Sequence, residues 1–211
     1  GVDAIEKALH AVGNNKAIRF LIIRFDDPNL NDGQGLHNYY PEPLDVRVIS
    51  KWEKILSYIE RLDKVTMAVL PPHVNDATLQ IALVTDFNYC TPDTQFKLSA
   101  IQSGALPGMA EFRLAKQVGL GKAKALLFTG KAFAAEMAVS LGLVTETGPN
   151  PDKLLAEQIK RMDSHHVLTI HCARRLLNES YANTYDDEIG DYLAAQTKID
   201  QDLNGKENTQ Q

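Results

Sequence analysis

A few histidines and one aspartate stand where a side chain could carry a proton to or from a substrate. His37 and His73 fall in polar or proline-marked stretches, and an imidazole titrating near neutral pH could carry a proton between substrate atoms. The competing role, a solvent-facing loop residue, is favoured for both. Asp76 stands just before an apolar run, where an acid serves as a helix N-cap or first-turn residue more readily than as a catalytic base. His165, His166 and His171 lie on a C-terminal helical pattern without the grouping of a metal centre. Ser99, Ser103 and Cys90 have no partner pattern for a nucleophilic triad. Cys90 and Cys172 are far apart, with no CxxC spacing, so neither a disulfide framework nor zinc is expected.

The elements that position these residues alternate between helix and strand. A helix over about residues 2–12 meets the stop signal Gly13-Asn14-Asn15, and a buried strand follows at Ile18–Phe25. A polar loop from Asp26 to Asp45 is long enough to be functional or disordered, and it carries His37. Apolar residues at Val46, Ile49, Trp52, Ile55, Leu56, Ile59 and Leu62 then predict one face of a helix, with Trp52 in the core rather than in a ligand cage. Val65–Leu70 is a strand ended by Pro71-Pro72, which cannot donate into a ladder. His73 falls in the loop beyond it, before a helix over Thr78–Val84.

Short strands at Asp86–Thr91 and Gln95–Leu98 precede a region where helices dominate to Leu203, including Lys153–Met162, His166–Leu177 and Ile189–Leu203. The division expected is a core over 1–150, a C-terminal helical region over 151–203 and a frayed, disordered tail over 204–211. The chain opens directly on a helical pattern, as though upstream residues were absent.

Composition sets the outer bounds. A chain of 211 residues with 44% hydrophobic content can bury one sizeable core. A formal net charge of -5 without a basic block argues against nucleic acid as a partner. The apolar runs are strand-sized, well short of the roughly 20 residues that cross a bilayer. The cysteine usage fits a reducing cytoplasm.

One stretch is more specific. Pro92-Asp93-Thr94-Gln95-Phe96, Gly104-Ala105-Leu106-Pro107-Gly108, Leu114-Ala115-Lys116-Gln117-Val118-Gly119, Leu127-Phe128-Thr129-Gly130, Ala135-Glu136-Met137-Ala138 and Gly142-Leu143-Val144 resemble the crotonase, or enoyl-CoA hydratase/isomerase, superfamily. That resemblance implies an α/β fold, a crotonase-like β-β-α spiral with a C-terminal helical region. It also implies a homotrimer or a heteromer with related crotonases, and an acyl-CoA thioester as substrate with no separate cofactor.

Chemistry in the superfamily rests on two backbone N–H donors that stabilise the oxyanion of a thioester enolate. By resemblance these are the amides of Gln34, in Leu30-Asn31-Asp32-Gly33-Gln34-Gly35, and Ala77, in Asp76-Ala77-Thr78, which replaces a glycine triplet. In the same register Gln80 and Ala100 replace the two glutamates of hydratases, so ordinary hydration is not expected. Gln80 could hydrogen-bond a substrate oxygen or be satisfied by nearby protein.

Ile49-Ser50-Lys51-Trp52-Glu53, Glu60-Arg61-Leu62, Thr85-Asp86, Tyr89–Thr94 and Pro107-Gly108-Met109-Ala110 are most similar to the DpgB-type auxiliary crotonases of 3,5-dihydroxyphenylacetyl-CoA biosynthesis. This implies a partner of a type III polyketide synthase that promotes cyclisation and dehydration of a polyketide CoA thioester, with His37 and His73 as candidate proton carriers. A catalytically silent scaffold that activates its partner, and a hydratase or isomerase with a relocated acid such as Asp76, are the alternatives.

Overall fold

The computed structural model describes residues 2–25, 46–104 and 106–180, with a few isolated helical positions between 194 and 205. The chain divides into two compact units, Gly1–Arg161 and Met162–Gln211. The second unit therefore begins inside a helix, Pro151–Asp163.

The first unit begins with α1 (Val2–Asn14) and β1 (Phe20–Arg24). Next come α2 (Val46–Arg61), β2 (Val65–Val69), β3 (His73–Val74) and α3 (Asp76–Val84). The chain continues through β4 (Phe87–Cys90), β5 (Gln95–Phe96), a short 3-10 turn at Ile101–Ser103, α4 (Ala110–Val118) and α5 (Leu120–Thr129). It closes through β6 (Phe133–Ala134), α6 (Ala135–Ser140), β7 (Glu146–Thr147) and the start of α7 (Pro151–Asp163).

The strands sort into two sheets. One has the order β1-β2-β4-β7 with every pairing parallel, and the other has the order β3-β5-β6. Successive turns of chain place a strand in the first sheet, a short strand in the second and then a helix, as in β2-β3-α3 and β4-β5-α4. This is the spiral repeat. The residues Val65 to Ala68 of β2 are all buried, as a strand covered on both faces requires. On α2 the residues Trp52, Ile55, Leu56 and Ile59 are buried on the face that the spacing marked.

Polar side chains lock the turns together where the backbone leaves a strand or helix. Asp86 Oδ2 accepts from the Thr66 N–H at 2.7 Å and the Thr66 hydroxyl at 3.0 Å. Asn88 donates through Nδ2 to Ala82 O at 2.7 Å and Leu143 O at 3.1 Å, and its Oδ1 accepts from the Thr85 hydroxyl at 2.6 Å. A groove of about 170 Å³ lies on Glu6, Leu9, His10, Lys54, Ile55 and Tyr58 of α1 and α2.

The two-residue strands β3, β6 and β7 depart from expectation. His73 belongs to β3 instead of a loop, and β6 and β7 interrupt a region expected to be helical. In the second unit α8 (Val167–Glu179) buries Cys172 against Leu168 and Leu176. His166 stands 3.0 Å from Thr169 Oγ1 through Nδ1 and 3.0 Å from Asp202 Oδ2 through Nε2. Most of the expected tail over 204–211 and of the helix at Ile189–Leu203 lies outside the described residues. Among the described residues no helix is long and apolar enough to cross a membrane.

Candidate functional site

A helix exposes its first-turn N–H groups at its N-terminus, and those groups together with the helix dipole suit a developing anion. Helix α3 presents such an end. Asn75 caps it, with Oδ1 accepting from the Thr78 N–H at 3.1 Å. Asp76 is thus the first-turn acid and not the cap. Leu79 N–H closes on Asn75 O at 2.8 Å, whereas the Ala77 N–H meets no acceptor among the described residues. The Thr78 hydroxyl beside it is buried and also meets no partner there.

The Asp76 carboxylate has a structural engagement that the sequence did not reveal. Its Oδ2 accepts from two consecutive amides, Ser99 N–H at 2.9 Å and Ala100 N–H at 3.1 Å. These residues follow β5, which pairs in parallel with β3 through His73↔Gln95 and Val74↔Phe96. Pairing is extended by Gln95 N–H to Pro72 O and Lys97 N–H to Val74 O, both at 2.9 Å. The segment carrying Ala100 is therefore fastened to β3 by backbone and to the first turn of α3 by the Asp76 carboxylate. One carboxylate oxygen accepting two successive N–H donors makes Asp76 a clamp between α3 and the segment after β5.

One turn along α3, Gln80 is fully buried and its Oε1 accepts the Trp52 indole N–H at 3.1 Å. Trp52 is itself buried, so it serves both as core and as the group that orients Gln80. Gly108 comes against the same amide. Its φ of +64° suits glycine, and a β carbon there would stand 2.8 Å from Glu53 Oε1 and 2.9 Å from Gln80 Oε1.

Glu53 in turn accepts the Met109 N–H at 2.9 Å and Arg113 Nη1 at 3.0 Å. Arg113 grips Glu60 with Nε at 3.0 Å and Nη2 at 3.1 Å. Burial pulls the guanidinium's proton affinity down, but hydrogen bonding and charge from Glu60 and Glu53 outweigh it and hold the group above its ordinary value.

Of the residues singled out from sequence, Asp76, Ala77 and Gln80 come together on the first two turns of α3. His73 is exposed at the start of β3, and its side of the strand faces solvent. Gln34 and His37 lie outside the described residues. Asn75, Glu53, Gly108 and Arg113 were not singled out. The available signals were an asparagine three residues before Thr78 and glutamates seven apart on one helical face.

Cys90 is buried and free, and burial raises its thiol pKa against a smaller lowering by the Thr94 hydroxyl. Among the described residues no group of three or more His, Cys, Asp or Glu side chains could hold a metal ion.

A family sequence model described as enoyl-CoA hydratase/isomerase matches residues 2–211. An enoyl-CoA-hydratase of Amycolatopsis orientalis is 30% identical over 152 residues, which is 72% of this chain and 70% of that protein. The mitochondrial Delta(3,5)-Delta(2,4)-dienoyl-CoA isomerase of Dictyostelium discoideum is 24% identical over 195 residues, covering 84% of this chain and 67% of its own. The crystal structure of an enoyl-CoA hydratase from Polaromonas sp. JS666 superimposes with a TM-score of 0.83 at 22% identity, covering 99% of this chain and 84% of that one. A second, from Shewanella pealeana, also gives a TM-score of 0.83, at 14% identity. At such identities the superpositions speak for the fold, which is the crotonase-like α/β spiral expected from sequence.

Proposed function

Because the chain belongs to the enoyl-CoA hydratase/isomerase family, an enzyme family of CoA thioester chemistry, we propose that it promotes cyclisation and dehydration of a polyketide CoA thioester. The polyketide is made by a type III synthase, and the product is a 3,5-dihydroxyphenylacetyl-CoA-like aromatic. The open first turn of α3 carries this reading. Its Ala77 N–H meets no acceptor among the described residues, while the nearby carboxylate of Asp76 is engaged by Ser99 and Ala100.

In this mechanism the thioester oxygen sits on the amides of Ala77 and Gln34. When a carbon beside the thioester loses its proton, charge moves to that oxygen and the two N–H groups stabilise it. Expulsion of hydroxide as water from the β carbon then advances the ring toward aromaticity, which supplies much of the driving force. The absence of a carboxyl group at Gln80 and Ala100 is tolerable for that reason. His37 and His73 are the candidate proton carriers. The working assembly is a homotrimer or a heteromer with related crotonases, in the cytoplasm, alongside the synthase.

A second reading is a catalytically silent scaffold that activates the synthase by contact. Besides the replaced glutamates, the exposed apolar side chains Leu106, Met109 and Phe112 favour it, with exposures of 73%, 46% and 54%.

Mass-resolved products from malonyl-CoA and a type III synthase, with and without this protein, test the first reading when run beside crotonyl-CoA hydration by the protein alone. More aromatic CoA product with no crotonyl-CoA turnover supports it. Turnover of crotonyl-CoA would mean that the catalytic residues lie elsewhere than the replaced pair. Stimulation that survives loss of the Ala77 amide would favour the scaffold.

A further inference from the structure

Two oxygens from different helices converge on one glycine. A β carbon on Gly108 would meet Glu53 Oε1 of α2 at 2.8 Å and Gln80 Oε1 of α3 at 2.9 Å. A buried or half-buried acceptor normally keeps a donor of its own. Here each does. Gln80 Oε1 takes the Trp52 indole N–H, Glu53 Oε1 takes the Met109 N–H, and Glu53 Oε2 takes Arg113. The glycine leaves room for both oxygens, and the amide that follows it satisfies one of them.

We infer that Glu53 is a positioning residue of the α3 site, holding the Gly108–Met109 backbone against Gln80 and thereby fixing the amide that stands at the hydratase glutamate position. The inference rests on the reading that the N-terminus of α3 receives a CoA thioester. Glu53 acts through the backbone and Gln80, not on substrate. Its two roles can be separated, because Glu60 grips the same guanidinium through two hydrogen bonds. Removing Glu60 weakens the anchoring of Arg113. Removing Glu53 also takes the acceptor from the Met109 N–H and the wall from Gly108.

The protein has a single tryptophan, Trp52, and it is hydrogen-bonded to Gln80, so its emission reports on this contact directly. The test compares Glu53→Ala, Glu53→Gln and Glu60→Gln by ligand-free Trp52 emission, by emission titration with 3,5-dihydroxyphenylacetyl-CoA, and by denaturation midpoint. Glu53→Ala is expected to shift the emission and weaken binding about tenfold. Glu53→Gln keeps an oxygen for the Met109 N–H and should restore both.

Glu60→Gln should lower the midpoint while leaving emission and affinity in place. A folded Glu53→Ala with native emission and affinity overturns the inference, as does a Glu60→Gln that shifts them equally. If the unaltered protein binds no CoA thioester, the proposed function fails. The role of Glu53 is then decided by ligand-free emission, where a shift in Glu53→Ala upholds its hold on the Gln80–Trp52 contact and native emission overturns it.

Discussion

Gly108 shows how much a single residue's shape can matter here. Any side chain must adopt its φ of +64° and place a β carbon 2.8 Å and 2.9 Å from two oxygens. Gly108→Ala is expected to cost about 1–3 kcal/mol through strain and crowding, read as a lower urea midpoint. Asp76 is a second such position. Asp76→Ala removes the acceptor of two buried-side amides and should cost about 2–3 kcal/mol, whereas Asp76→Asn, which retains an acceptor oxygen, should cost distinctly less. Urea denaturation of the pair separates a clamp from a merely charged first-turn acid, for which both variants would be nearly neutral. The sequence marked Asp76 as an N-cap or a first-turn acid, and it is the second, because Asn75 is the cap. It could not mark the partners, because Ser99 and Ala100 lie more than twenty positions along the chain, on another turn of the spiral.

Under the proposed function, helix α3 carries the chemistry at the scale of an element, and its first turn is the test. Asn75→Ala removes the side chain that satisfies the Thr78 N–H and should destabilise by about 1 kcal/mol. Ala77→Pro deletes the open N–H near a helix start, where proline's missing donor is tolerated. A variant with native circular dichroism is expected to lose about 100-fold or more of the synthase-dependent product rate if that amide holds the oxyanion. Unchanged stimulation would remove the assignment. Long elements were legible from spacing, since α2 keeps Trp52, Ile55, Leu56 and Ile59 on one buried face. The strands β3, β6 and β7 were not, because two residues offer no period to detect; pairing partners decide them.

At the scale of the whole molecule, burial sets the chemistry of groups that the proposed mechanism does not use. Tyr89 lies on β4 between β2 and β7, and its hydroxyl is buried without a hydrogen-bond partner among the described residues. Desolvation, aided by Glu146 and partly offset by Arg161, pushes its pKa up to about 12 from 10.0. Between those values the unfolded chain releases the proton first. Stability should therefore be intact below pH 10.0 and fall as pH rises toward about 12. The slope is about 1.4 kcal/mol per pH unit. Denaturation midpoints across that range, with Tyr89→Phe abolishing this part of the slope, provide the check.

The sequence by itself determined the α/β class, the family, the amphipathic face of α2, the buried strand β2 and the place of Asp76, Ala77 and Gln80 at the start of a helix, because these depend on local periodicity and on motifs carried in short stretches. The tertiary structure alone decided what those positions touch. Asp76 meets amides from the segment after β5, Gln80 meets an indole from α2, and Glu53 meets a backbone turn and an arginine from α4. The physical reason is that hydrogen-bond partners separated by 23 to 60 residues are chosen by how the spiral stacks its turns, and no local pattern encodes that choice.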